Sequence, residues 1–308
     1  MISRHTFLLL TLITGLNGCE GGSFRFDQGR AFHYLEKQCD FGPRNPGSAG
    51  YYDCRDWLKT ELEQTADTVF FQPFTQSDPR NGDVYALSNI LAVYGREKPP
   101  GILLAAHWDT RPWADEDPDP FYQEEPILGA NDGASGVAVL LEMAQHLQAM
   151  DLPFQVLVVL LDGEDLGQPG LPQSYAKGSE FLAQNPPLPL PEEGIVLDMV
   201  GDKQLTLFIE RNSYRQNPEL VNDLWGLARE MKLPAFRDRV ALTIYDDHIP
   251  LFRYGGVRAV DLIDFDYPDQ ATNYWHTHWD TPEQCSPASL GQVGRLLENF
   301  LVRRGRKD

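Results

Sequence analysis

The chain has 308 residues and a formal net charge of −19, since 45 Asp and Glu outnumber 26 Lys and Arg. This charge argues against a nucleic-acid partner, because phosphate binding requires clustered Lys and Arg. After Gly22 no apolar run is long enough and free enough of charge to form a transmembrane helix. The remaining chain is therefore expected to be a soluble globular body that buries one large core.

The N-terminus has the pattern of an export signal. An apolar stretch too short to span a bilayer ends at Leu16-Asn-Gly-Cys19, which resembles the bacterial lipobox. The predicted organisation is a lipoprotein signal peptide at 1–18, a short tether at 19–27 after lipidated Cys19, and one domain at 28–308. We expect a periplasmic or cell-surface lipoprotein, held at a bacterial membrane by its N-terminal lipid. Ordinary secretion without a lipid is the alternative.

Export also bears on the remaining cysteines. Cys39 and Cys54 are close in sequence, and in an oxidising compartment they are the natural pair for a disulfide. Cys285 then has no partner. Nothing in its surroundings marks it as a nucleophile, so it is expected to be a small buried residue.

Apolar periodicity predicts alternating helices and strands. In chain order the pattern indicates helices at 28–39 and 51–64, strands at 68–74, 89–94 and 102–106, a helix at 135–150, a strand at 154–161, a helix at 179–184, strands at 195–199 and 205–209, a helix at 218–231, a strand at 259–263 and a helix at 287–302. This alternation predicts an α/β fold, a three-layer α/β/α sandwich around a central mixed, mainly parallel sheet.

Polar residues follow four of the predicted strands. The strand at 102–106 leads into His107 and Asp109, and the strand at 154–161 leads into 162–165. The apolar residues 195–197 lead into Asp198, and the strand at 259–263 leads toward His276. Ligands of open α/β sheets bind outside the carboxyl ends of the strands, so these side chains are expected at one edge. A mixed set of imidazole and carboxylate groups suits zinc with an open catalytic position.

A further acid lies between a loop and a predicted helix. Asp132 occurs in Gly129-Ala-Asn-Asp-Gly-Ala-Ser-Gly136, where small residues permit tight turns and close approach. Its carboxylate could bind a metal. The alternative is that Asp132 or Ser135 only caps the helix, which is a common role for both residue types.

Six short motifs occur in a fixed order along the chain. They are His107-Trp-Asp109, Asn131-Asp-Gly-Ala-Ser-Gly136, Asp162-Gly-Glu-Asp165, Leu197-Asp-Met-Val-Gly201, Asp246-Asp-His-Ile-Pro250 and Trp275-His-Thr277. Taken together, the motifs resemble the zinc aminopeptidase and glutaminyl cyclase superfamily over roughly 39–301. Segments 110–115, 246–250 and 274–277 are most similar to its bacterial glutaminyl cyclases. The resemblance implies a zinc-aminopeptidase-like fold and a catalytic role for the domain at 28–308.

The resemblance also implies a metal site. Asp132, Asp165 and His276 match the ligands of one zinc ion per chain, and Glu164 matches the general acid and base. Relatives more often have Glu at the position of Asp165, so it stays open which of Glu164 and Asp165 reaches the metal. His107 and Asp109 are expected either to bind a second metal or to support the site. The family pattern further implies a cis peptide bond between Asp132 and Gly133.

Other matched residues imply a substrate pocket. Asp198 and Asp246 match acids that form a hydrogen-bond network around the reacting amine. Trp275 matches an aromatic wall, although core packing is the alternative for so large a side chain. Trp108 is expected to contact the substrate as well. The acidic stretch 115–125 is interpreted either as a lid over the pocket or as a solvated loop.

The implied reaction is that of a glutaminyl-peptide cyclotransferase. The α-amine of an N-terminal glutamine attacks its own side-chain carbonyl, pyroglutamate forms and ammonia leaves. The expected partners are peptide or protein N-termini, and the chain is expected to be a monomer. One alternative is a two-zinc aminopeptidase, whose five ligands would be His107, Asp132, Asp165, Asp198 and His276. Another is a binding module that has kept the fold and lost the chemistry.

Overall fold

A computed structural model of the protein describes residues 25–307, and the predictions for the signal peptide and for Cys19 lie outside them. The helices begin and end close to the positions that the periodicity indicates. Within the described range they are α1 (Gln28–Asp40), α2 (Ala49–Glu63), α3 (Ala134–Leu147), α4 (Lys177–Gln184), α5 (Arg211–Gln216), α6 (Pro218–Glu230), α7 (His248–Gly255) and α8 (Pro287–Lys307).

The first three strands in chain order are longer than the apolar pattern predicts. The strands are β1 (Thr68–Ser77), β2 (Val84–Tyr94), β3 (Pro100–His107), β4 (Gln155–Leu161), β5 (Glu193–Asp198), β6 (Leu207–Glu210), β7 (Phe236–Leu242), β8 (Arg258–Ile263), β9 (Pro268–Asp269) and β10 (Thr272–Asn273).

Six of these strands form the central sheet, in the order β1-β2-β4-β3-β5-β8. The pairs β1–β2 and β2–β4 are antiparallel. The pairs β4–β3, β3–β5 and β5–β8 are parallel. The sheet is therefore mixed and mainly parallel, as predicted. Strands β6 and β7 pair separately in parallel, and β9 and β10 form a small antiparallel pair.

Apolar side chains cover both faces of the sheet, because successive residues of a strand point to opposite sides. On β3, Leu104 and Ala106 belong to the cluster that contains residues of α1, α2, α3, α6 and α8. Leu103 and Ala105 belong to a second cluster, with Leu182 of α4 and residues of α7. Helices thus flank the sheet on both sides, and the predicted three-layer α/β/α architecture is confirmed.

Helices α5 and α7 and strand β7 are among the elements that the sequence patterns missed. Helices α5 and α7 have six and eight residues, which is too short for a clear apolar period. Strand β7 carries Arg237, Asp238 and Arg239 in its middle, and all three are exposed. The sequence pattern of β7 therefore indicates a loop, because its side chains contribute little to the core.

The disulfide prediction is wrong. Cys39 on α1 and Cys54 on α2 are both free thiols, buried among apolar side chains of the core. Burial raises the pKa of each thiol to about 12, so both behave as small apolar groups. Cys285 is also free and buried, as expected. In residues 25–307 no helix combines the length and hydrophobicity needed to cross a bilayer.

Candidate active site

The site lies where the connections of the sheet change direction. Helix α3, which links β3 to β4, covers one face, and α4, which links β4 to β5, covers the other. Strands β3 and β5 are neighbours, so a crevice opens between their carboxyl ends. His107 ends β3 and Asp198 ends β5, and the His107 Nε2 atom lies 3.2 Å from the Asp198 Oδ1 atom.

Asp132, Asp165 and His276 converge on one point beside this crevice. Each offers a ligand atom, and these atoms all lie within 4.8 Å of one another. The Nε2 atom of His276 is 3.0 Å from Asp165 Oδ1 and 3.6 Å from Asp132 Oδ2. His276 is more than a hundred residues from Asp132 and from Asp165 along the chain, so the convergence is a product of the tertiary fold.

These three residues fit zinc. All are buried, and the Oδ2 atoms of Asp132 and Asp165 have no hydrogen-bond partner among the described residues. Burial and the Asp165 carboxylate raise the pKa of Asp132 to about 7, the response of a carboxylate that needs a positive partner. One imidazole nitrogen and two carboxylates form a donor set typical of catalytic zinc. Glu164, by contrast, is not part of the cluster.

A second cluster shares Asp132 with the first. His107 Nε2 lies 3.1 Å from Asp132 Oδ1, and the potential ligand atoms of His107, Asp132 and Asp198 are within 4.8 Å of one another. Asp132 therefore lies between two groups of potential ligands. The five residues of the predicted two-metal arrangement do come together in this way.

Asp109 supports the site and does not face it. Its Oδ1 and Oδ2 atoms accept hydrogen bonds from the backbone N–H groups of Glu164 and Asp165, each at 3.2 Å. Its Oδ1 atom is also 3.6 Å from His107 Nδ1. One fully buried carboxylate thus fixes the segment that carries both the candidate base and a candidate ligand.

The side chain of Asp132 does not cap helix α3. The N-cap of α3 is Gly133, and no side chain caps the helix. Only Tyr267–Pro268 is cis among the described residues, so the expected cis bond at Asp132–Gly133 is wrong. Gly133 makes the turn with a φ of +96°, and a Cβ atom there would lie 2.7 Å from the Asp109 carbonyl oxygen.

Asp280 holds the backbone that carries Asp132. Its carboxylate accepts hydrogen bonds from the N–H of Asn131 at 2.8 Å and of Asp132 at 3.0 Å. It also accepts a hydrogen bond from the Tyr267 hydroxyl at 2.8 Å. Sequence analysis missed this residue, because nothing in Trp279-Asp-Thr281 distinguishes it from a surface acid.

His276 is oriented by Asp115, which forms an ion pair with the buried Arg111. Its Nδ1 atom lies 3.4 Å from Asp115 Oδ1, and Arg111 donates to both Asp115 oxygens at 2.8 and 2.6 Å. Arg111 also donates to the carbonyl oxygen of Asp165 at 2.9 Å. Burial opposes ionisation of Asp115, yet hydrogen bonds from Arg111 and His276 hold its pKa well below the usual value. The sequence analysis noted segment 110–115 as a motif without finding these roles.

Three further buried acids line the cavity beside the first cluster. The cavity has a volume of about 330 Å³, and Glu164, Asp198 and Asp246 all contribute to its wall. Burial and the neighbouring Asp165 carboxylate raise the pKa of Glu164 well above its usual value. Burial and Asp198 raise the pKa of Asp246 to about 6. Raised values of this kind are common among groups that transfer protons.

The two tryptophans singled out by the sequence have different environments. Trp275 lines the cavity, stacks on His276 with ring centroids 3.7 Å apart, and lies 5.0 Å from the Phe265 ring. Trp108 is fully buried in the core instead, 4.6 Å from the Tyr51 ring, and is not part of the cavity wall. The prediction that Trp108 contacts substrate is therefore wrong.

A second group of buried ionisable residues lies behind Asp246. The ring nitrogens of His248 are 3.3 Å from Glu210 Oε2 and 3.4 Å from Asp261 Oδ2. Burial opposes ionisation of Glu210, but His248 lowers its pKa to about 2. Burial and Asp246 raise the pKa of Asp261 well above normal. Only Asp246 and His248 lie in a motif that the sequence analysis recognised.

The acidic stretch 115–125 begins inside the site and then turns to the surface. Asp117 is buried and accepts hydrogen bonds from the backbone N–H of His278 at 2.9 Å and from its ring. The Tyr122 ring stacks on His278, with centroids 3.9 Å apart. This stretch is therefore attached to the loop that carries His276. Whether it acts as a lid stays a prediction.

Comparisons with known proteins agree with this geometry. The profile of peptidase family M28 matches residues 89–301. The crystal structure of Tannerella forsythia glutaminyl cyclase is 35% identical, with a TM-score of 0.86 over 91% of this chain and 99% of that one. A Zn-dependent exopeptidase from Parabacteroides distasonis is 32% identical, with a TM-score of 0.87 over the same shares.

A curated relative extends the comparison beyond bacteria. The glutaminyl-peptide cyclotransferase-like protein of Mus musculus is 27% identical over 290 residues, which cover 84% of this chain and 71% of the relative. The family profile spans more than half of the chain and includes all the clustered residues described above. The chain therefore belongs to peptidase family M28 and is similar over most of its length to bacterial glutaminyl cyclases.

Proposed function

We propose that this chain is a zinc-dependent glutaminyl-peptide cyclotransferase, which converts the N-terminal glutamine of peptides or proteins to pyroglutamate and releases ammonia. One observation carries the proposal. Glu164 and Asp246, two buried acids with raised pKa values, line the same cavity as Asp132, Asp165 and His276, beside the Trp275 ring. The similarity to bacterial glutaminyl cyclases supports it.

Asp132, Asp165 and His276 would hold one zinc ion. Zinc bound there would supply a Lewis acid for the γ-carbonyl of the glutamine. The outer residues keep the ligands in place. Asp115 fixes the His276 ring through its Nδ1 atom, and Asp280 fixes the backbone of Asp132.

Glu164 performs the proton transfers. It accepts a proton from the α-amine as the bond between that nitrogen and the γ-carbon forms. It returns the proton to the side-chain nitrogen as the old carbon–nitrogen bond breaks and ammonia leaves. A carboxylate with a raised pKa suits both steps, since it accepts a proton more readily than an ordinary carboxylate and can then return it.

Asp198 and Asp246 bind the α-amine. Both line the cavity, and burial with the Asp198 charge gives Asp246 a pKa of about 6. Carboxyl groups of this kind accept hydrogen bonds from the amine and orient its lone pair toward the γ-carbon. Trp275 restricts the glutamine side chain to a folded conformer. Since the nucleophile is tethered to the electrophile, correct orientation is the main contribution of the pocket.

A two-zinc aminopeptidase is the second candidate. The observation that favours it is the His107–Asp132–Asp198 cluster, which offers a second potential metal position sharing Asp132. The similarity to a Zn-dependent exopeptidase is compatible with it. Two metals with a bridging water would hydrolyse the peptide bond that follows the N-terminal residue, and that residue would not be cyclised.

A paired-peptide assay tests the proposal. The purified protein is incubated with a Gln-initiated and a Leu-initiated peptide of otherwise identical sequence, and ammonia, pyroglutamyl peptide and free amino acids are measured. Ammonia and pyroglutamyl peptide from the first peptide alone support the cyclotransferase. Free leucine or glutamine identifies an aminopeptidase. The zinc content per chain is an independent test, because a value near one supports the cyclotransferase and a value near two supports the aminopeptidase.

Export and lipid attachment are part of the proposal. The pattern of residues 1–18 and the lipobox ending at Cys19 support a periplasmic or cell-surface lipoprotein. In a bacterial host, the wild-type chain should incorporate labelled fatty acid and fractionate with membranes. Cys19→Ala should lose both properties. Size-exclusion chromatography with light scattering would test the expected monomer.

A further inference from the structure

The cavity has one charged residue that the proposed chemistry does not use. We propose that Glu116 selects peptides whose second residue, after the glutamine, is Lys or Arg. This inference rests on the proposed cyclotransferase function. It names a specificity-determining residue and the class of substrate that it favours.

Glu116 differs from the other charged residues of the cavity wall by its exposure. Asp132, Glu164, Asp165, Asp198, Asp246 and His276 are all buried, whereas Glu116 is exposed to solvent. The buried groups surround the reacting atoms. Glu116 therefore lies at the mouth, where the residue that follows the glutamine must leave the cavity.

The backbone of Glu116 is fixed, but its carboxylate has no partner. Its N–H donates to the carbonyl oxygen of His276 at 3.3 Å, and the preceding Asp115 is bonded to Arg111. Among residues 25–307, no side chain forms a hydrogen bond or an ion pair with the Glu116 carboxylate. A fixed backbone with an unpaired charge is available for an incoming cation.

The rest of the mouth suits the stem of a long basic side chain. Phe265 is 37% exposed, lines the cavity and packs against Trp275 with ring centroids 5.0 Å apart. Aromatic faces attract ammonium and guanidinium groups, and they cover the methylene stems of Lys and Arg. The described cavity wall contains no Lys or Arg to repel such a side chain.

The charge of the whole protein acts in the same direction. With a net charge of −19, the chain attracts cationic peptides and repels acidic ones during encounter. That general effect does not depend on one residue. The specific contribution of Glu116 must therefore be separated from it by a matched change of charge elsewhere.

The experiment compares kcat/KM for three peptides, Gln-Arg-Ala, Gln-Ala-Ala and Gln-Glu-Ala, in the full chain and its variants. We expect the wild type to prefer them in that order. Glu116→Gln should lower the ratio of the Arg to the Ala peptide by about two- to fivefold, the range of an exposed ion pair. Glu116→Lys should make the Glu peptide better than the Arg peptide.

The matched control is Glu97→Gln, which removes one exposed negative charge from the turn before β3, at the opposite end of the sheet. In Glu97→Gln, the ratio of kcat/KM for the Arg peptide to that for the Ala peptide should equal the wild-type ratio. An unchanged ratio in Glu116→Gln, or an equal fall in Glu97→Gln, would overturn the inference while leaving the cyclotransferase intact. Failure of every Gln peptide to cyclise would instead reject the proposed function.

Discussion

The Oδ1 atom of Asp115 lies 3.4 Å from the Nδ1 atom of His276, and the same carboxylate accepts two hydrogen bonds from buried Arg111. A carboxylate in this position fixes the orientation of the ring and makes its other nitrogen a better ligand. The ring of His276, which would bind zinc, is thus oriented by Asp115 and Arg111, which precede it by more than 150 residues.

Replacing Asp115 by Asn should weaken zinc binding by about 10- to 100-fold, the usual cost of removing such a support. Zinc affinity is measured by competition with a chromogenic chelator. Activity lost on dilution should return when zinc is added in excess. Glu124→Gln is the control, because Glu124 is exposed on the same acidic stretch and pairs only with Arg80 at the surface. Equal zinc affinity in both variants would contradict the role of Asp115.

Glu164 and Asp165 should respond differently to removal of their charge. Glu164→Gln should keep its zinc and lose about 10²- to 10⁴-fold in kcat, since it removes the proton acceptor. Asp165→Asn should lose zinc, because Asp165 belongs to the ligand cluster and Glu164 does not. Metal analysis and steady-state kinetics on both variants check this. The reverse result would exchange the two roles.

Asp280 should matter mainly for stability. Asp280→Ala leaves the N–H groups of Asn131 and Asp132 and the Tyr267 hydroxyl without their acceptor in a buried region. We expect the free energy of unfolding to fall by on the order of 3 kcal/mol, measured by urea denaturation. Tyr267→Phe removes only one of these bonds and should cost about 1 kcal/mol. Similar losses in both variants would show that the backbone contacts contribute little.

Asp264 should make stability depend on pH. It is buried, and burial raises its pKa from 3.8 to about 7 although it accepts hydrogen bonds from Thr206 and Asp266 N–H groups. Between these values the folded state holds a proton that the unfolded state has released. Its contribution to stability is therefore complete below pH 3.8 and is lost as the pH rises to about 7.

Asp264→Asn should flatten this dependence. The free energies of unfolding from urea denaturation at pH 5 and pH 8 should differ less in the variant than in the wild type, by at most about 3 kcal/mol, since about two pH units separate pH 5 from the raised pKa. Asp53→Asn, an exposed change on α2, should retain the wild-type difference. A wild-type difference in Asp264→Asn would show that another group is responsible.

The buried histidine behind Asp246 offers a further test. His248 is fully buried between Glu210 and Asp261, so His248→Leu leaves two carboxyl groups without their partner. We expect a loss of about 3–5 kcal/mol in unfolding free energy. The double variant His248→Leu, Asp261→Leu should recover part of it, because it removes a buried carboxyl group whose oxygens have no hydrogen-bond partner among the described residues. No recovery would indicate that His248 acts mainly through its packing.

The sequence predicted the sheet and the residues at its edge for a physical reason. Strands β3, β4 and β5 are buried on both faces, so each appears as a continuous apolar run followed by polar residues. His107 and Asp198 could therefore be placed at the carboxyl ends of their strands from the printed sequence. The family motifs then supplied Asp132, Asp165 and His276.

The directions of side chains outside the strands could not be predicted in this way. Trp108 follows His107 directly, yet its ring turns into the core against Tyr51 while His107 faces Asp132. Cys39 and Cys54 are neighbours along the chain, but they are free thiols in the apolar interior. Such outcomes depend on packing against elements that lie far away in sequence.

The sequence alone determined the apolar runs, the polar ends of the strands and the family motifs, because these are local patterns. Only the tertiary structure decided that Asp115 supports His276, that Asp280 holds Asp132, and that Asp109 accepts hydrogen bonds from the backbone of Glu164 and Asp165. Each of these contacts joins segments at least 55 residues apart. A local sequence pattern cannot predict such a contact, because the contact forms only when folding brings two distant segments together in the protein interior.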